Sequence, residues 1–214
     1  MRVKTDIRTL SANLLSLFDS RTASDEALGS VWYDNAHKLV LEWADTYSLP
    51  IATVASVVAA ISPQVEWSRN LIIADDILAG RPASIGGAIR LNIDKAIRIR
   101  NGRLTSTLDV MPGGPKVASF AANLSGDLSV VTVDTHASQA ALNNPLATVR
   151  LNWKHYTEFA EAYRYAAFKA NREPAVFQAI IWHIWKRLHP TATKRVARRQ
   201  WIPIGEDQMG FIEP

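Results

Sequence analysis

Apolar residues recur at helical spacing from the first segment of the chain onward. Ile7, Leu10, Leu14, Leu15 and Phe18 predict an amphipathic helix over Thr5–Ser20. A second helix is expected to open at Ser24-Asp25-Glu26, a serine cap followed by acids that favour the positive end of a helix dipole. It runs to about Tyr47 and stops before Pro50. Ile51 to Ile61 is apolar on almost every side (Val54, Ala55, Val57, Val58, Ala59, Ala60), the pattern of a central buried helix, and Pro63 ends it. Trp67 to Leu78 predicts another helix, closed by Gly80-Arg81-Pro82. One or two more are expected within Ser84 to Arg100, before the Asn101-Gly102 turn. Ser129 to Val133 is rich in β-branched residues but has no partner run of similar quality. It reads as an extended link into a helix starting near Asp134. Tyr156 to Ala170 and Pro174 to Leu188 supply the last two helices, and His189 to Pro214 reads as a loosely structured tail. The expected fold class is all-α.

Composition narrows the chemistry. The 214 residues, 48% hydrophobic and 21% charged, can bury an ordinary core in one domain or in two interleaved helical lobes. With no cysteine, the chain holds no disulfide, thiolate zinc site or cysteine-bound iron–sulfur cluster. Catalysis would fall to carboxylates, lysine, histidine or a bound ion. The net charge is +4 and the basic residues cluster. Arg90, Lys95, Arg98, Arg100 and Arg103 share one stretch with a single acid, and Lys186, Arg187, Lys194, Arg195, Arg198 and Arg199 share another with none. Such density suits a polyanionic partner, although a solvated face explains either cluster alone. No segment reaches the roughly 18 apolar residues of a membrane span. A soluble, cytoplasmic monomer with no membrane association is expected.

Two residues concentrate the candidate chemistry. Met111-Pro112-Gly113-Gly114-Pro115-Lys116 places two glycines and two prolines between helical segments, a tight turn with exposed backbone N–H groups. A helix starting near Pro115 would make that turn an anion site; an ordinary inter-helix connection has the same composition. Eighteen positions after Lys116 comes Asp134, in Val133-Asp134-Thr135-His136. An aspartate there can cap a helix. A carboxylate can also stabilise the positive charge that develops on a sugar as its N-glycosidic bond breaks. Lys116 has three readings: a nucleophilic amine, a phosphate contact, or a plain surface lysine.

MPGGPKVA followed by VDTH resembles the helix-hairpin-helix DNA glycosylase superfamily, the group that includes endonuclease III, with the lysine and aspartate at the family's separation. Ile61-Ser62-Pro63-Gln64 is similar to the family's L-S-A-Q turn, and Lys95-Ala96 with Ile99 matches a third element. The likeness covers roughly residues 50 to 140. The hairpin is one residue shorter than the family's common pattern, with Pro115 where a basic residue is usual. The resemblance implies a two-lobed helix-hairpin-helix glycosylase-like fold: a lobe over 50–140, a second built from 1–49 with 141–190, and a basic C-terminal tail over 191–214. It implies duplex DNA as partner, extrusion of a damaged or modified base, and cleavage of its glycosidic bond, as in base-excision repair. Asp134 would assist that cleavage and Lys116 would be placed to form a Schiff base. No cofactor is implied beyond a monovalent cation at the hairpin.

Gln64, Gly113, Gly114, Lys116, Arg98 and Arg100 are the expected DNA contacts. Gln64 is placed to fill the gap left by an extruded nucleotide, or to be a plain loop residue. Trp67, Trp32 and Tyr33 are candidates to stack on the extruded base, since an aromatic face accepts any base. With seven tryptophans, most such rings must be core. His136 either orients the Asp134 turn or acts as a general base in the pocket. Two other classes stay open. One is an enzyme of the same architecture that modifies a hypermodified thymine in phage-type DNA without cutting the sugar bond. The other is a non-catalytic DNA-binding module.

Overall fold

The computed structural model describes residues 6–83, 88–104, 114–149 and 151–190. The described residues are all-α, with helices α1 (Ile7–Asp19), α2 (Ala23–Thr46), α3 (Ile51–Ile61), α4 (Trp67–Leu78), α5 (Arg90–Arg100), α6 (Pro115–Leu124), α7 (Thr135–Leu142), α8 (Trp153–Lys169) and α9 (Pro174–Leu188). Among them no single helix is long and apolar enough to cross a membrane. The expected tail and basic run beyond Pro190, the Ser84–Gly87 stretch and the hairpin residues 111–113 lie outside the described residues. So does the expected cation position at the hairpin.

The chain divides into two compact units. One runs to Tyr33 and resumes at Leu128; the other spans Asp34 to Asp127. These divisions fall at 33/34 and 127/128, away from the expected 50 and 140. Lys116 and Asp134 therefore belong to different units.

In the first unit, α1 packs on α7, α8 and α9, and α8 on α9. Leu10, Leu14, Phe159, Tyr163, Phe177, Ile180, Ile184 and Trp185 form its apolar interior. The start of α2 is fixed by a reciprocal cap. Thr22 N–H donates to Asp25 Oδ2 at 2.8 Å, and Asp25 N–H donates to Thr22 Oγ1 at 3.2 Å. The cap is thus Thr22, and Ser24, the expected cap, sits within the first turn. Asp25 also receives Arg187 Nε from α9 at 3.0 Å. Glu26 receives Arg172 at 2.9 Å and Arg21 at 2.7 Å. Burial pulls both carboxyls up, but the hydrogen bonds from these arginines, joined at Asp25 by those from Thr22, outweigh it and hold them below the ordinary range.

In the second unit α3 is the hub, packed on α4, α5 and α6, and its residues Val54 to Ile61 are all buried. An all-round apolar sequence produces this, because each side of α3 meets another helix. Asn70 on α4 donates to the Val58 carbonyl at 3.1 Å. His37 Nδ1 lies 2.9 Å from the carbonyl of Leu124, the last residue of α6. Its ring covers Gly126, whose φ of +101° suits glycine.

Candidate active site

In the first unit, of the expected extended link Ser129–Val133, Ser129 and Val130 lie in a turn and Val131–Val133 lead without regular structure into Asp134 and α7. Val131 and Val133 are fully buried, so their backbone polar groups need partners inside the protein. Tyr156 on α8 supplies both. Its hydroxyl accepts from Val133 N–H at 3.0 Å and donates to the Val131 carbonyl at 2.8 Å. The next residue, Asp134, caps α7, with its Oδ1 accepting from Ala137 N–H at 2.8 Å. Among the described residues no other hydrogen bond to this half-buried carboxylate is formed, and its Oδ1 is the oxygen engaged by the cap.

Two buried tyrosines flank this carboxylate. Tyr163 donates to the Ala137 carbonyl at 3.1 Å, and Tyr33 to Gln178 Oε1 at 3.1 Å. Burial, reinforced by the negative charge of Asp134, pushes both phenols far above their usual range, so both stay protonated. Tyr33 is 4% exposed with its hydroxyl engaged, which corrects its expected stacking role: it is core. Trp32, half-buried, meets the Tyr33 ring edge-on at 4.7 Å. His136 is half-buried in the first turn of α7, and its Nδ1 is buried with no hydrogen-bond partner among the described residues.

In the second unit α6 begins at Gly114, with φ +80° and ψ −172°, a backbone region open to glycine almost alone. Among the described residues a Cβ there would meet nothing within 4 Å, and the backbone conformation by itself requires glycine. No side chain caps α6, and Pro115 occupies its first turn. Lys116, half-buried, forms no ion pair among the described residues. One turn later on the same face, Phe120 meets the half-buried Trp67 of α4 edge-on at 6.2 Å. Gln64, three residues before Trp67, is exposed at the turn between α3 and α4 with φ +64°, a left-handed conformation uncommon for a side-chain-bearing residue.

The arginines separate. Arg98 is exposed on α5. Arg100 is half-buried and donates to the Leu78 carbonyl at 3.3 Å, satisfying the end of α4. This bond uses the Nε of Arg100. Gly113 lies outside the described residues. Among the described residues no group of three or more His, Asp or Glu side chains is placed to hold a metal ion.

Sequence reasoning missed Tyr156, Tyr163, Gln178 and Phe120. Tyr156 and Tyr163 are seven apart on the buried face of α8, and buried tyrosines carry a hydroxyl that must be satisfied. That was the available signal.

Among the described residues, the α6 start beside Lys116 and the Asp134 carboxylate held at the start of α7 are the candidate functional elements. The chain belongs to a protein family of unknown function, DUF7178, whose model matches residues 1–189. No curated protein and no solved structure matches it.

Proposed function

We propose that this protein is a DNA glycosylase-like enzyme with a two-lobed helix-hairpin-helix architecture. It extrudes a damaged or modified base from duplex DNA and breaks the bond between base and sugar. Asp134 is the observation that carries this proposal. Its carboxylate is fixed by the α7 cap and by the Tyr156 clamp on the preceding residues. A fixed anion that needs no reorganisation stabilises the oxocarbenium-like sugar as the base departs with the bonding electrons. The two buried phenols stay protonated and donate to Gln178 and Ala137, so they add no negative charge to that of Asp134.

The start of α6 supports a phosphate contact, through a helix N-terminus that no described side chain caps, its positive helix end and Lys116. In the lyase branch, the Lys116 amine attacks C1′ of the sugar, the base leaves, and loss of the amine proton with ring opening yields an imine. The exposed, left-handed Gln64 suits a residue that enters the space vacated by the nucleotide.

The test uses duplexes carrying a panel of damaged and hypermodified bases, with and without borohydride. Abasic product that Asp134→Asn abolishes is the expected result, and a trapped adduct that Lys116→Ala removes establishes the lyase branch. An altered base without abasic sites would replace excision with base modification. Binding without product on any base would sink the enzymatic proposal.

A further inference from the structure

We infer that the outer face of α8 is a self-association surface, on which Trp153 of one copy of this chain seats in the groove beside Phe168 of a second copy. This is independent of the duplex-DNA proposal above. Singly exposed apolar residues are ordinary on a protein surface. Here Trp153, 62% exposed, Tyr165, 49%, and Phe168, 77%, all stand on α8. At about 100° per residue, Trp153, Thr157, Glu161, Arg164 and Phe168 fall within about 80° of one another, on the side away from the buried Phe159, Tyr163 and Ala166. Along the helix this face reads apolar, polar, acidic, basic, apolar.

Phe168 also forms one wall of an open groove of about 510 Å³, shared with Ser30 of α2, Asn171 and Glu173 of the turn after α8, and Val176 of α9. That volume lies in the range of sites that take a small ring system. Asn171 makes the turn in the left-handed conformation, φ 52°. Arg172 pins the turn to α2, its Nε and Nη2 donating to Glu26 Oε1 at 3.2 and 2.9 Å. An aromatic ring entering the groove meets Phe168 and Val176 without having to order the wall first.

The order of residues along the face selects the occupant. If a second, antiparallel copy sets Glu161 opposite Arg164, it also sets Arg164 opposite Glu161, as a two-fold interface requires. One turn outward, Thr157 meets Phe168. One turn further, Trp153 passes the last residue of α8, Lys169, and arrives at the groove, while Lys154 beside it comes to the rim that carries Glu173. Arg164 and Glu161 already pair within one chain at 2.6 Å, and the dimer doubles this into a cluster of four charges with no net charge. A duplex or an anionic membrane would instead set phosphates against Glu161, at the centre of the face. One helix face and one groove make a contact at the small end of specific interfaces, so a reversible, micromolar dimer is expected and not an obligate one. The monomer expected from the sequence then holds at low concentration.

Sedimentation velocity of the whole protein across a concentration series tests this. Trp153→Ala and Phe168→Ser should each weaken self-association by about tenfold. Glu161→Arg and Arg164→Glu should each weaken it as much, because like charges then face each other across the two-fold axis. Mixed in equal amounts, these two charge variants should associate with each other as wild type does with itself, since opposite charges face again at both positions. None of the four side chains is buried, so thermal melts at low concentration should match wild type, and they serve as the folding control. A wild type that stays monomeric into the millimolar range overturns the inference. So does a wild-type dimer that all four variants form equally well, or a pair of charge variants that fail to associate when mixed. Variants that leave self-association intact and weaken only binding to a fluorescent duplex would give the face to nucleic acid, which also overturns it.

Discussion

Gly29 on α2 lies against the backbone of Ile180 on α9, so closely that a Cβ at position 29 would stand 2.5 Å from Ile180 Cα. Backbone does not yield as a flexible side chain does, so any larger residue must push the two helices apart. Gly29→Ala should destabilise the first unit by about 3 kcal/mol, at the upper end of overpacking costs, despite the gain in helix propensity. Urea unfolding would measure it, and a neutral or stabilising result would show that α2 and α9 can slide.

Tyr156→Phe keeps the ring and deletes the two hydrogen bonds that hold Val131 and Val133. It leaves a buried N–H and a buried carbonyl unsatisfied, a loss of about 2–4 kcal/mol. Val133→Ala also destabilises, by loss of apolar burial, but leaves the clamp in place. If the clamp positions Asp134, Tyr156→Phe should lower turnover on the proposed substrate more than Val133→Ala at matched stability loss.

Capping and chemistry at Asp134 separate by substitution. Asparagine caps a helix as well as aspartate does, so Asp134→Asn should change stability by less than about 0.5 kcal/mol, whereas Asp134→Ala should cost about 1 kcal/mol. Both remove the negative charge. Thermal melts that rank the two variants this way, together with equal loss of activity, would assign the carboxylate to both tasks. Full activity in Asp134→Asn would leave it a cap alone.

Acid should loosen the start of α2. The carboxyls of Asp25 and Glu26 are held below their ordinary range, so in this window the folded protein binds fewer protons than the unfolded chain. The stability they contribute is present above about pH 4 and is lost as pH falls through their lowered values. Urea midpoints between about pH 2 and pH 6 should show this decline, and Asp25→Asn should flatten part of it. A wild-type profile flat over that range would mean that the arginine contacts contribute nothing.

Helix positions were legible wherever the apolar period was long. α3, α4 and α9 coincide with the segments expected for them, because all-round or strongly periodic apolar patterns leave one placement. The extended link before Asp134 was also readable, since a lone β-branched run cannot pair into a sheet. Details decided by a distant partner were not. Thr22 rather than Ser24 caps α2 because Asp25 is three residues from Thr22 and is pinned by Arg187, 162 positions away. Tyr33 looked available to a ligand until Gln178 and the burial of its ring removed it. Arg100 carried a sequence signal of charge alone, and the carbonyl it satisfies belongs to another helix. The tyrosines whose phenols feel Asp134 come from α2 and α8, and no local pattern announces such convergence.

The Tyr156 clamp also bears on how the protein breathes. Val133 N–H is bonded to a side chain on another helix, so fraying of α7 does not release it to solvent. Its exchange with water requires α8 to part from the extended link, an opening of the interior of that unit. The carboxylate next in sequence is therefore tethered to a slow-exchanging part of the molecule, and its placement should persist through the fast local fluctuations that loosen helix ends.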